Sequence, residues 1–187
     1  YRANPLGTSQ PDDVSLLLPS LSERMNLRLE EGEARSNSNE TQNTLLALAI
    51  IDEQWNHAIA RLQNKTSHKE AHQEHAHLHQ NGDSVVWLPL HEACSRNPPK
   101  NLIHHLCMAY AEGFFKKDSR GRLPIHIACE SGCSVDVIKY LLNVNPDSVN
   151  VKDNAGQMPK ECLRQQHRNF ASVLRVIEEH EISLKQE

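Results

Sequence analysis

Leu88-Pro89-Leu90-His91-Glu92-Ala93-Cys94 returns 35 residues later as Leu123-Pro124-Ile125-His126-Ile127-Ala128-Cys129. The register then holds without a gap: Ile103 matches Ile138, Leu106 matches Leu141, Lys117-Asp118 matches Lys152-Asp153, and Gly121 matches Gly156. Most shared positions are apolar, Pro or Gly, the residues that a repeated packing problem keeps. A period of this length marks stacked supersecondary units. Pro89 and Pro124 suit a first helical position, where the missing N–H costs nothing. Ser95-Arg96-Asn97-Pro98-Pro99 and Glu130-Ser131-Gly132-Cys133-Ser134 are turn chemistry. A second helix follows, with Leu102, Ile103, Leu106 and Cys107 on one face and Val137, Ile138, Leu141 and Leu142 in the next unit. Two short helices cannot bury such faces alone, so neighbouring units must stack to make a core.

These residues carry a family resemblance. Asp118-Ser119-Arg120-Gly121-Arg122-Leu123-Pro124-Ile125-His126 and Asp153-Asn154-Ala155-Gly156-Gln157-Met158-Pro159 resemble the Asp-x-x-Gly hairpin tip and Thr-Pro-Leu-His start of ankyrin repeats. The Leu-Pro-Leu-His-x-Ala-Cys variety is similar to arrays in algal proteins. The resemblance implies an all-α solenoid of stacked helix-turn-helix units, with hairpin-like loops and polar caps. It also implies that His91 and His126 tether a helix start to neighbouring loop backbone rather than catalyse. Three departures are plain: Leu88, Leu123 and Met158 replace the Thr, Cys94 and Cys129 replace the second Ala, and the unit is two residues longer than usual. Losing the Thr cap weakens each first helix by about 1 kcal/mol.

The array spans residues 42–182. Full units occupy 87–121 and 122–156, and 157–182 is a degenerate cap in which Glu161 replaces His and Arg164 replaces Cys. Residues 42–86 form a divergent first unit: Ile59 and Leu62 match Ile103 and Leu106 at an offset of 44, so nine residues are inserted. The insertion falls in the His-rich stretch 67–80, expected to be a polar, solvated loop. Residues 1–41 are polar and Pro-containing, expected to be largely disordered, with one helix at 20–31. Ser20 and Glu23 have capping-box spacing there, and Leu18, Leu21, Met25 and Leu29 share a face. That helix either covers the apolar end of the first unit or docks into a partner's groove. Residues 183–187 are a tail.

Composition excludes several classes. The net charge of −4 disfavours nucleic-acid binding. The longest apolar run, Leu45–Ile51, is too short to span a bilayer, so no membrane partner is expected. Five cysteines, an odd number without framework spacing, indicate a reducing, intracellular setting, cytoplasmic or nuclear. The chain opens on Tyr1 rather than Met, as a piece of a longer protein would. No Gly-rich phosphate loop is present and no nucleophile has a base and an orienting acid, so neither enzyme activity nor a cofactor is expected.

The expected function is therefore binding another protein. By resemblance, contacts come from hairpin tips and the exposed side of first helices: Ser84, Val85, Trp87, Ser95 and Arg96 in one unit, Ser119, Arg120, Arg122, Glu130 and Ser131 in the next. Trp87, Arg96, Ser119, Arg120, Arg122 and Glu130 are the candidates, with Trp and Arg foremost because they dominate interface energetics. Lys116 and Lys117 add charge at the same tip, which suits an acidic or phosphorylated segment. The rival reading is a metal- or pH-responsive loop. On a helix, His68, His72, His75 and His79 would share a face, and pairs four apart can reach one metal ion.

Overall fold

The repeat offsets reappear as element boundaries. The computed structural model describes residues 44–78 and 84–186; the segment 1–41, its expected helix at 20–31, and His79 lie outside the described residues. Three helix pairs follow one another: α1 (Leu45–Ile51) with α2 (Trp55–Gln63), α3 (Pro89–Ser95) with α4 (Lys100–Ala109), and α5 (Pro124–Ser131) with α6 (Val135–Val144). In the last unit the first helix shrinks to a 3-10 turn, Pro159–Cys162, and the second becomes α7 (Phe170–Leu184), which runs slightly beyond the expected end of the array. First helices stack in one row, α1 on α3 on α5 on the Pro159–Cys162 turn. Second helices stack in another, α2 on α4 on α6 on α7. No helix among the described residues is long and apolar enough to cross a membrane.

The turn between paired helices shows why the first unit belongs to the series. Glu53, Asn97 and Gly132 hold left-handed backbone at φ 56°, 49° and 71°. They are 44 and 35 residues apart, the same offsets that relate the helices. A first helix that must reverse within a few residues ends on such a residue. Asn97 also reaches across units, where its Oδ1 accepts the N–H of Ser134 (3.0 Å), the N-cap of α6.

The core lies between the two rows. Leu46, Ile50, Leu102, Ile103, Leu106, Ile125, Ile138, Leu141 and Ile177 are all buried. Cys94 and Cys129 are buried and free, filling the small-residue position where first helices meet. Burial pushes both thiols well above their ordinary range. Cys133 is buried too, and its thiol donates to the Cys94 carbonyl of the preceding unit (3.1 Å).

The His-rich insertion is not a solvated loop. It forms a 3-10 helix, Lys65–His72, then strand β1 (His75–Leu78), antiparallel to β2 (Ser84–Trp87) with His75 opposite Trp87. Glu70 is buried; its Oε2 accepts the N–H of Leu46 at the start of α1 (2.8 Å), and its carboxylate pairs with Arg61 on α2. One side chain thus satisfies an orphan helix donor and ties the insertion to both helices of the first unit.

Candidate partner-binding site

Each of the two described hairpin tips is organised by one aspartate. Asp118 Oδ1 accepts the N–H groups of Arg120 (2.9 Å) and Arg122 (2.8 Å), and its own N–H donates to the Arg122 carbonyl (2.9 Å). One period on, Asp153 Oδ1 accepts from Ala155 and Gln157, both at 2.9 Å, and its N–H donates to the Gln157 carbonyl (3.0 Å). This is the Asx geometry that lets a short turn close without a long loop. Gly121 sits at φ 75°, and a Cβ there would come within 2.3 Å of Asn154 Oδ1, so only Gly lets the next tip pack against it. Asn154 N–H donates to the Arg120 carbonyl (3.0 Å), which joins the tips into one edge.

The histidines of the repeat hold the helix starts. His91 Nδ1 accepts the Leu88 N–H (3.3 Å), and its Nε2–H donates to the Lys116 carbonyl (3.2 Å). His126 does the same with Leu123 (3.1 Å) and Val151 (3.0 Å). Leu88 and Leu123 have no side-chain acceptor, so only the returning half of a capping box is made. Burial lowers His91 from 6.5 to about 4 and lowers His126 as well, so both rings are neutral at pH 7. In the last unit Glu161 takes over, its Oε2 accepting the Met158 N–H at 2.6 Å.

Between the last two tips and the ends of the first helices lies a cleft of ≈ 630 Å³. Four of the six sequence candidates, Ser119, Arg120, Arg122 and Glu130, line it together. Sequence reasoning missed the other side of the cleft, contributed by Asp153, Gln157, Glu161, Cys162 and Arg164. The 35-residue equivalence of Asp153 with Asp118 was the signal that pointed there. Glu130 is the hub: it pairs with Arg122 (3.1 Å) and Arg164 (2.5 Å), and its carbonyl accepts from His167 Nε2 (2.8 Å). Cys162 is pushed up to about 11, by burial first and then by Asp153 and Glu130, so its thiol stays protonated and is a poor nucleophile at pH 7.

Two candidates are placed differently from expectation. Trp87 is not an exposed anchor: only 2% of its surface is accessible, and its indole N–H donates to Asp118 Oδ2 (3.0 Å). Arg122 is 7% exposed. Its Nε donates to Asp118 Oδ2 (2.9 Å), and its guanidinium lies 5.6 Å from the Trp87 ring centre. Its Nη2 is also 2.9 Å from Asp118 Oδ2, close enough for an ion pair but without hydrogen-bond geometry. The reason is the strand pairing of the insertion, which turns Val85 and Trp87 inward and leaves Ser84 and Val86 outside. Arg96 lies outside the cleft, held by Glu92 (2.7 Å) and near Glu53 (4.0 Å).

His68, His72 and His75 do not share a face, because the 3-10 helix stops at His72 and His75 starts a strand. His68 Nε2 donates to the Leu62 carbonyl (2.7 Å), and His72 stacks on Tyr110 with centroids 4.1 Å apart. His75 is buried with Nε2 3.3 Å from Glu92 Oε2. Among the described residues no three or more His, Cys, Asp or Glu side chains are grouped to hold a metal ion.

The repeat unit can be recognised directly. Residues 120–154, one full period from tip to tip, match the family model of the ankyrin repeat. This segment is an ankyrin repeat. No curated protein matches the chain. Ankyrin repeats are in general protein-binding units, and the cleft lies between two ankyrin hairpin tips and the ends of the first helices.

Proposed function

We propose that this ankyrin array is a non-catalytic interaction module that takes a segment of another protein into the cleft between hairpin tips and first helices. The observation that supports it most is the convergence of Ser119, Arg120, Arg122 and Glu130 on one cleft. Its volume lies within the range of cavities that enclose several side chains. Three residues with catalytic potential are otherwise engaged: His91 and His126 are tied to backbone at both nitrogens, and Cys162 is a protonated thiol. An acidic or phosphorylated segment fitted an exposed Arg122. With Arg122 neutralised by Asp118 and Glu130, a segment of mixed charge fits better. The rival role for the insertion, metal or pH response, draws no support from His68, His72 and His75, each turned to a different partner.

The test is differential capture. The double variant Ser119→Trp/Ala155→Trp fills the cleft from two exposed positions outside the core. It is expected to melt as the parent does and to retain its partner about tenfold less well, a loss of roughly 1.4 kcal/mol. Undiminished capture by a folded double variant would move the binding surface away from the cleft.

A further inference from the structure

The two tip aspartates have the same backbone role and different outer oxygens. Asp118 Oδ2 receives the Trp87 indole N–H (3.0 Å) and Arg122 Nε (2.9 Å). One period later, the position of Trp87 is held by Arg122, which is turned to Asp118, and the position of Arg122 is held by Gln157, which is exposed. Among the described residues, Asp153 Oδ2 takes no hydrogen bond, although Oδ1 keeps both of its turn bonds. Asp153 and Gln157 both line the cleft. The described residues therefore contain a filled copy of a cation-binding tip and, 35 residues on, a second copy without a cation from among them.

We propose that the cleft recognises an arginine side chain of the partner segment, which docks on Asp153 as Arg122 docks on Asp118. This rests on the reading of the cleft as the partner-binding site. A guanidinium suits the place because its planar fork gives parallel donors to a carboxylate. The pairing within the cleft wall agrees: Glu130 is held by Arg122 and Arg164, and Glu161 accepts the Met158 N–H, whereas the outer oxygen of Asp153 takes no hydrogen bond among the described residues. After burial, it is Asp153 that pushes the Cys162 thiol up most.

The probe is an array of immobilised random peptides, each set fixing one position as Arg, Lys, Trp, Glu or phosphoserine, incubated with the labelled full chain. Two variants accompany it. Asp153→Asn keeps an Oδ1 acceptor for the Ala155 and Gln157 N–H groups, so the turn survives while the outer oxygen becomes a donor. Gln157→Arg supplies the missing guanidinium from within the chain and fills the site. Binding is expected to concentrate on the Arg-fixed sets and to fall about tenfold in each variant, with thermal midpoints preserved. Preference for Glu or phosphoserine, no preference for Arg, or Arg-selective binding that survives Gln157→Arg would overturn the proposal. If such binding were still lost in Ser119→Trp/Ala155→Trp, the cleft would stand as the partner site and only its arginine specificity would fall. Absence of binding to every set would count against both.

Discussion

Trp87 shows how a residue's role turns on one contact. Its place before Leu88-Pro89-Leu90-His91 offered no packing reason for an indole, yet it is buried and donates to Asp118 Oδ2. The signal was present in the alternation of Ser84-Val85-Val86-Trp87, whose inward members are Val85 and Trp87. That alternation becomes legible only once the segment is known to be a strand. Trp87→Ala is expected to cost about 3–5 kcal/mol, because it opens a cavity and removes a donor from a buried carboxylate. Urea unfolding measures it, and a near-parent midpoint would contradict the burial. His91 carries the second prediction at this scale. It titrates at about 4 in the folded chain against its usual 6.5, mainly through burial. Between those values the unfolded chain holds the extra proton, so stability is full above pH 6.5 and declines as pH falls towards 4. The loss from this one group is on the order of 3 kcal/mol, and His126 is shifted in the same direction. Thermal midpoints measured from pH 7 down to 4.5 should drop, and less so in His91→Asn.

Among the elements, the insertion departs furthest from its sequence pattern. Its histidine spacing suggests a solvated helix face, whereas its structure is set by two acidic contacts distant in sequence. Glu70 reaches Leu46 and Arg61, and His75 reaches Glu92. Nothing in the local pattern reports such partners. One clue was available in the repeat: Glu92 stands where the next unit has Ile127, and both positions are buried. A carboxylate at a core position requires a partner from elsewhere, and the insertion and Arg96 provide it. Glu70→Ala should cost about 1–3 kcal/mol, since it leaves the Leu46 N–H uncapped and Arg61 without its carboxylate. It should also speed exchange of the amides at the start of α1. An unchanged unfolding midpoint together with unchanged exchange would show that the insertion does not latch onto the first unit.

For the whole molecule, the offsets of 35 and 44 carried the architecture, because stacked units impose the same packing positions each time. The left-handed turns at Glu53, Asn97 and Gly132 follow those offsets even where residue types differ. The candidate cleft was half legible. Its tip residues, Ser119, Arg120 and Arg122, belong to a full unit and could be read. Arg164, Cys162 and Glu161 belong to the degenerate unit, where the pattern is lost although Glu161 still performs the histidine's bond to the helix start. Whether a partner segment occupies this cleft is decided by amide hydrogen exchange. Exchange is measured on the full chain alone and saturated with a captured partner segment. Slowed exchange is expected at residues 119–122 and 153–157 and at the end of α5, with the outer row of α2, α4 and α6 unchanged. Protection confined to that outer row, with both tips unaffected, would contradict occupancy of the cleft.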